Sequence, residues 1–178
     1  VTGVQTCALP ILTATHVYKN EIYNFPNGSH VCELEVDEET GAVEILRYAV
    51  VDDVGTVLNP LLLKGQIRGG IAQGLGQVLM EDIRFDPESG QLLTGTFMDY
   101  AMPRAADFSR IAMDDNPVPT KTNPLGVKGG GETGTVGALP AIANALVDAL
   151  SELGIRHVPM PATPERLWRA MQNARDRK

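Results

Sequence analysis

Residues 123–146 read NPLGVKGGGETGTVGALPAIANAL, a glycine-rich loop followed by an apolar stretch with helical spacing. Apolar residues recur every three to four positions through Ala138–Leu153, and Gly154 then stops the pattern, which predicts a helix. A glycine-rich loop at the start of a helix exposes unpaired backbone N–H groups and the positive end of the helix dipole. Phosphates and other anions bind at such places. The segment therefore predicts a helix with a candidate binding site at its N-terminal end.

Strand patterns occur both before and after residues 60–81, where a second helix is predicted. His30–Asp37 alternates between apolar and polar residues, and Ala42–Val54 is rich in β-branched residues, so the two predict a hairpin. Ile83–Phe85 and Gln91–Leu93 flank a turn sequence and predict a second, short hairpin. A further strand is predicted around Phe97–Ala101.

Two more helices are predicted. Apolar residues at helical spacing run from Pro60 through Glu81, and Thr163 and Pro164 are typical of the N-cap and first position of a terminal helix. The helix from Pro60 contains five glycines, and each costs about 1 kcal/mol relative to alanine inside a helix. So many glycines indicate that something packs close to its backbone. Asp114–Leu125 contains three prolines and predicts an extended loop. The predicted fold class is α+β, with β-hairpins and about three main helices.

Composition excludes several classes of function. The chain of 178 residues carries a net charge of −7 and is 43% hydrophobic and 21% charged, a globular balance. It has no basic run, so we expect no nucleic-acid partner, and its longest apolar stretch is interrupted by Pro140, Asn144 and Asp148, so we expect no membrane span. Two cysteines and three scattered histidines predict no metal held directly by side chains. Such cysteine usage suits a reducing compartment, the cytoplasm.

Residues 1–11, VTGVQTCALPI, differ from the rest of the chain. They carry no charge and too few apolar residues for a secretory signal. The stretch resembles a translated sequencing adapter, and we expect it to be non-native, with the true reading frame truncated upstream. Residues 12–178 then form the domain. An ordinary disordered tail is the alternative.

Glu132 is the only acidic residue in the glycine-rich segment, with Lys128 four residues before it. A carboxylate held among glycines can stand next to a bound molecule with no side chain intervening, as a general base must. Alternatively, Glu132 only complements the dipole of the following helix. Residues 129–134 also fit G-x-G-x-x-G, but the preceding residues form a proline-containing loop where a dinucleotide site requires a strand.

Gln66 and Gln73 are the other candidate binding residues. They are seven positions apart and share one face of the predicted helix, where their amides could bind a heterocycle that carries hydrogen-bond donors and acceptors. Solvated or helix-capping amides are the alternative. Asp52 and Asp53 are interpreted as the polar end of a strand, because a metal would need further oxygen ligands.

Five segments occur together in one order: Val51–Gly55 with Asn59-Pro60, GQIRGGIAQGLGQVLMED (65–82), TGTFMDYAMPRA (94–105), NPLGVKGGGETGTVGALPAIANAL (123–146) and MPATPERLWRAM (160–171). Together they resemble the C-terminal part of the molybdenum-cofactor-binding large subunit of the xanthine oxidase family. Within that family, the segments are most similar to large subunits of the aerobic carbon monoxide dehydrogenase type. The copper-binding cysteine loop that carbon monoxide oxidation requires does not occur in the sequence, so the resemblance implies the general family.

The resemblance implies roles for individual residues. Glu132, in K-G-x-G-E (128–132), matches the family's catalytic glutamate and would be the general base in oxidation of a substrate carbon with water-derived oxygen. Gln66 matches a glutamine that touches the cofactor, Gln73 lies on the same face, and Lys128, Gly129, Gly130 and Gly131 would approach it. The pterin holds molybdenum in this family, so no protein ligand is expected. The implied cofactor is a molybdenum–pterin, in its cytosine dinucleotide form.

The resemblance also implies partners. Iron–sulfur clusters would lie on a small subunit and FAD on a medium subunit, assembled as a dimer of heterotrimers. Two other functions stay open: a nucleotide- or phosphate-binding module that uses the glycine loop without redox chemistry, and an inert truncated piece of the enzyme.

Overall fold

The fold is given by a computed structural model that describes residues 15, 17, 19, 22–108 and 110–177. The predicted non-native segment 1–11 lies outside the described residues. In chain order the elements are β1 (Asn27–Val36), β2 (Val43–Asp53), α1 (Pro60–Leu79), β3 (Ile111–Asp115), α2 (Thr133–Ala149), a 3-10 turn (Ser151–Leu153) and α3 (Pro164–Arg175).

The first predicted hairpin is confirmed, and it forms two thirds of a three-stranded sheet. β1 and β2 pair antiparallel, and the chain turns through Gly41, whose φ of +74° suits a residue without a side chain. β3 lies on the other side of β2 and runs parallel to it, with Tyr48 opposite Ile111 and Asp52 opposite Asp115. The sheet is therefore mixed, in the order β1-β2-β3.

The strand predicted around Phe97–Ala101 was wrong. Residues 97–99 form a turn, in which the Tyr100 N–H donates to the Thr96 carbonyl, and Phe97 is 83% exposed. A strand that was not predicted, β3, lies at 111–115 and overlaps the first two residues of the predicted proline-rich loop. These residues form a strand because they pair with β2, which supplies their hydrogen bonds. The second, short hairpin is present: Phe85 and Leu92 form an antiparallel bridge, and the N–H of Leu93 donates to the Arg84 carbonyl at 2.8 Å.

All three helix predictions are confirmed, with changes at their ends. The side chain of Asn59 caps α1 by accepting from the N–H groups of Leu61 and Leu62, both at 3.1 Å. α3 begins with Thr163 as N-cap and Pro164 in the first turn, as predicted. α2 begins at Thr133, five residues before the predicted start, so part of the glycine-rich segment is its first turn.

The glycines of α1 explain how closely the two long helices pack. A Cβ atom on Gly70 would lie 2.8 Å from the backbone nitrogen of Thr135, and one on Gly74 would lie 2.7 Å from the Cβ of Ala138. On α2, a Cβ on Gly134 would lie 2.3 Å from the Ile67 carbonyl oxygen. The predicted close packing is thus confirmed, and its partner is α2.

The core lies between the sheet and the helices, with α2 in contact with both α1 and β1. Its most deeply buried large side chains are Ile71, Leu75, Ile142, Leu146, Leu167 and Met171. A small mixed sheet covered by three helices confirms the α+β class. Among the helices of the described ranges, none is long and apolar enough to cross a membrane.

Candidate functional site

Glu132 lies at the exposed surface, at the N-cap position of α2. Its side chain makes no capping hydrogen bond, so it does not satisfy the first N–H groups of the helix. The residues that the structure describes offer its carboxylate neither a hydrogen bond nor an ion pair. A carboxylate without a bonded partner among the described residues suits both predicted roles, a general base and a charge that complements the dipole of α2.

Backbone pairing with the end of β2 fixes the loop that carries Glu132. The N–H of Lys128 donates to the Val54 carbonyl at 2.8 Å, and the N–H of Thr56 donates to the Gly126 carbonyl at 2.9 Å. Gly55 has a φ of +68°, and a Cβ there would lie 2.2 Å from the Gly126 carbonyl oxygen. The close approach of these two backbone segments positions the start of the glycine-rich loop.

A nearly buried ion pair fixes the same loop through side chains. The Lys128 Nζ donates to Asp53 Oδ2 at 2.5 Å, and the two side chains are 11% and 14% exposed. Asp53 Oδ1 also accepts from the backbone N–H groups of Gly55, at 2.8 Å, and Val118, at 3.0 Å. The Lys128 ammonium, with help from these backbone donors, lowers the pKa of Asp53 to about 2. Asp53 is therefore an anchor for the loop, and the ammonium of Lys128 already has a partner within the protein.

The lowered pKa of Asp53 predicts how stability depends on pH. Because the carboxylate titrates at a pH of about 2 in the fold and at about 3.9 when unfolded, its contribution is complete above about pH 4 and is lost as pH falls towards 2. We expect Lys128→Met to lower the free energy of unfolding at pH 6 by about 1–3 kcal/mol. That difference from wild type should shrink between pH 4 and pH 2, as measured by urea unfolding of the chain.

Lys121→Met is the control, since Lys121 is exposed and its loss should cost little at any pH. A wild-type to Lys128→Met difference that stays constant from pH 6 to pH 2 would show that Asp53 does not depend on Lys128.

Gln66 and Gln73 lie exposed on α1, on the side that faces the start of α2. The Gln66 Nε2 lies 3.9 Å from the position that a Cβ of Gly131 would occupy, so this amide is adjacent to the glycine loop. The Gln73 Oε1 accepts from the Thr135 hydroxyl at 3.2 Å, so Gln73 is tied to α2. The structure thus brings Gln66, Gly131 and Glu132 to one part of the surface, with Gln73 about two turns of α1 away.

The glycines of this surface leave room for a ligand. Around Gly129, as around Gly65 and Gly69 on α1, no described atom lies within 4 Å of the position of a Cβ. Gly130 differs, because its Cβ would lie 3.2 Å from Leu63 Cδ1. The exposed backbone of Gly129 and Gly131 can therefore be approached directly from solvent.

A cleft of about 270 Å³ beside Glu132 is lined by residues that sequence patterns did not mark as site residues. His30, Asp52 and Thr133 contribute to its wall, and Asp52 is only 1% exposed. A signal for Asp52 was present, since alternation along β2 places it on the same buried face as Tyr48 and Val50. His30 comes close to Asp52 only through the pairing of β1 with β2. Within the described ranges, no three His, Cys, Asp or Glu side chains are placed together so that they could hold a metal ion.

Residues 4–109 match the family described as molybdopterin cofactor-binding domain. The chain belongs to this family. Its relatives include the carbon monoxide dehydrogenase large chain of Hydrogenophaga pseudoflava, 34% identical over 163 residues, which are 92% of this chain and 20% of the relative. The nicotine 6-hydroxylase large subunit of Paenarthrobacter nicotinovorans is 36% identical over 167 residues, 94% of this chain and 20% of that subunit.

A solved structure of the same kind shares the fold. Quinoline 2-oxidoreductase from Pseudomonas putida 86 matches with a TM-score of 0.77 and 41% identity, over 83% of this chain and 19% of that one. The predicted resemblance to large subunits of the xanthine oxidase family is thereby confirmed. The chain spans about one fifth of the length of these relatives. The assignments of Glu132, Gln66, Gln73, Lys128 and Gly129–Gly131 stay predictions.

Proposed function

We propose that this chain is the C-terminal part of the large subunit of a molybdenum hydroxylase, in which Glu132 is the general base. One observation carries the proposal: a carboxylate without partners among the described residues stands at the start of α2, directly after Gly131, whose backbone lies beside Gln66. A general base needs a carboxylate that can reach its substrate and is not held by other bonds. Glu132 meets both conditions.

The surface around Glu132 fits a molybdenum–pterin cofactor. Gly129 and Gly131 expose backbone that a flat, polar ring system can approach, and Gln66 offers an amide with both donors and acceptors. The first N–H groups of α2 are free of any side-chain cap, and such groups favour the phosphates of a dinucleotide. We propose that Gln73 and Lys128 act less directly, by joining α1 to α2 and by fixing the loop.

The chemistry divides between the cofactor and the chain. When bound, the cofactor supplies the two-electron oxidation. The carboxylate of Glu132 accepts a proton from the water-derived oxygen that attacks the substrate carbon, and this proton transfer makes the oxygen a better nucleophile. Lys128 and Asp53 hold the loop so that the carboxylate stays in place.

Electrons then have to leave the site through other redox groups. By resemblance we propose iron–sulfur clusters on a small subunit and FAD on a medium subunit, in a cytoplasmic dimer of heterotrimers, with the cytosine dinucleotide form of the cofactor. The names of the relatives refer to carbon monoxide, nicotine and quinoline. This spread supports a shared reaction type with different substrates.

The two exposed glycines of the loop provide the test of cofactor binding. Neither Gly129 nor Gly131 has a positive φ, and a side chain at either meets no close protein atom among the described residues. We therefore expect Gly131→Val in the full-length subunit to leave the fold intact but to reduce bound molybdenum and pterin by about tenfold or more, a cost of about 1.4 kcal/mol. Metal and pterin analysis of the purified protein measures this.

Gly95→Val is the matched control. Gly95 is also exposed, lies outside the helices, strands and turns, and has only ordinary van der Waals contact with Leu92. If Gly131→Val retains its cofactor as Gly95→Val does, the loop backbone is not a cofactor contact.

A further inference from the structure

Three buried side-chain oxygens lie without a hydrogen-bond donor among the described residues, and they belong to one place. They are both carboxylate oxygens of Asp52 and the hydroxyl oxygen of Thr133. Asp52 is 1% exposed and Thr133 is 8% exposed. A buried oxygen without a donor costs about 1–3 kcal/mol, so a fold retains such a group where something else supplies the donor.

Both residues line the cleft of about 270 Å³ that also contains Glu132. A cavity holds ordered water when it is polar and roomy, and a water molecule occupies about 30 Å³ in the liquid. The wall of this cleft is mostly apolar, with Phe25, Pro26 and Val136 among its residues, and the oxygens of Asp52 and Thr133 are buried acceptors beside it. Its volume is enough for several waters. Hydrogen-bonded water can therefore connect the surface carboxylate of Glu132 with the buried carboxylate of Asp52.

Asp52 is also paired with a histidine. The Nε2 of His30 lies 3.5 Å from Asp52 Oδ1, and its Nδ1 shares a 2.7 Å hydrogen bond with the Tyr48 hydroxyl. The His30 side chain is 5% exposed. The two residues form a buried unit that can hold one additional proton.

Two glycines make room for this pair. A Cβ on Gly28 would lie 1.9 Å from Asp52 Oδ1, and a Cβ on Gly137 would lie 2.3 Å from the His30 ring. Gly137 is in the second turn of α2, whose first residue follows Glu132. The pair is thus packed directly against the helix that presents the proposed base.

We propose that this cleft is a proton-transfer site, in which water carries the proton accepted by Glu132 to the Asp52–His30 pair. The inference rests on the proposed role of Glu132. The O–H bond of protonated Glu132 breaks, its carboxylate is restored, and a new bond to hydrogen forms on the pair, whose charge rises by one. No electrons are transferred. Glu132 is then ready for the next turnover.

The other ionisable groups near Asp52 are not suited to accept the proton, so the Asp52–His30 pair is the acceptor. On the three strands around Asp52, Glu33, Glu35, Glu44, Arg47, Asp114 and Asp115 are exposed, and Asp53 is bound to Lys128. The ionisable residues left near Asp52 are His30, Cys32 and Tyr48 on the strands and Glu132 at the start of α2. Burial raises the pKa of Cys32 to about 11, and burial is also the main cause that raises the pKa of Tyr48. Both already hold their protons at neutral pH and cannot take another, while Asp115 is exposed.

The test is Asp52→Asn in the full-length holoenzyme, which keeps the shape of the side chain and removes its charge. We expect kcat to fall roughly tenfold and the solvent deuterium isotope effect on kcat to rise. KM and molybdenum content should stay as in wild type. The control is Asp115→Asn, because Asp115 is opposite Asp52 in the sheet but exposed. Thr133→Val, which removes only the hydroxyl, should shift the isotope effect in the same direction and serves if Asp52→Asn does not fold.

A second readout is independent of activity. A crystal structure of the complete enzyme should show ordered waters within hydrogen-bonding distance of Asp52 and Thr133. A side chain from elsewhere in the subunit that fills the cleft would overturn the proposal, as would an unchanged kcat and isotope effect in Asp52→Asn. Activity retained in Glu132→Gln would instead overturn the proposed function, so the two failures are distinguishable.

Discussion

Replacing Glu132 with glutamine in the full-length large subunit is expected to lower turnover by about 10²–10⁴-fold, the usual contribution of a general base. Glutamine has nearly the same shape but cannot accept a proton at neutral pH. Because the Glu132 side chain makes no bond with the described residues, its replacement should leave the fold and the molybdenum and pterin content as in wild type. Steady-state kinetics and metal analysis of the same preparation measure both quantities.

Glu88→Gln is the control for this experiment. Glu88 is an exposed glutamate in the turn between Asp86 and Gly90, far along the chain from the glycine loop, and its loss should leave turnover unchanged. A Glu132→Gln enzyme with near wild-type turnover would show that the base is another residue. Loss of molybdenum together with turnover would show that Glu132 holds the cofactor and does not act as the base.

Gly134→Ala, which adds a single methyl group, is expected to lower the free energy of unfolding. In Gly134→Ala, the added carbon would lie 2.3 Å from the Ile67 carbonyl oxygen and 3.0 Å from the Ile71 nitrogen. Both are backbone atoms of α1, so the two helices must move apart. Overpacking of this kind costs about 1–3 kcal/mol or more, which exceeds the gain of up to about 1 kcal/mol from replacing a helical glycine.

Gly69→Ala is the same chemical change at an open position of α1, with no described atom within 4 Å. It should raise the free energy of unfolding by up to about 1 kcal/mol, so the two variants are predicted to differ in sign. Urea unfolding followed by circular dichroism measures both. If Gly134→Ala is as stable as Gly69→Ala, α1 and α2 do not pack through their backbones.

Local patterns predicted most of the elements. Alternation in β1, the β-branched residues of β2, the helical spacing from Pro60 and the Thr163-Pro164 start of α3 depend only on neighbouring residues, and all four elements were found. β3 was missed because five residues, two of them aspartates, form a strand only where β2 offers its edge. That information is not present in the segment itself.

The candidate site likewise combines residues that the sequence marks directly with residues that only the fold brings together. Glu132 and its glycines are contiguous, so the sequence marks them directly, whereas the two side-chain pairs near them, Lys128–Asp53 and His30–Asp52, join distant residues. Lys128 meets Asp53 across 75 positions because the loop pairs with the end of β2. His30 meets Asp52 because β1 and β2 pair in one register. A register is set by the whole hairpin, and no spacing within the sequence reports it.

The five glycines of α1 illustrate why residue type alone was insufficient. Gly70 and Gly74 contact α2, and Gly76 packs against Glu81 and Pro103, whereas Gly65 and Gly69 face open space. The sequence predicts that some backbone approaches the helix but not which glycine meets it. The two open glycines lie on the exposed face with Gln66 and Gln73, where we propose the cofactor.

Metal and pterin analysis of the purified full-length subunit is the most direct test of the central claim, that this chain holds a molybdenum–pterin cofactor beside Glu132. Molybdenum and a pterin dinucleotide are expected at about one per large subunit, since one glycine loop forms one site. A protein without molybdenum that binds a free nucleotide with a Kd on the order of 1 µM, about −8 kcal/mol, would contradict it. The glycine loop would then be a phosphate-binding module.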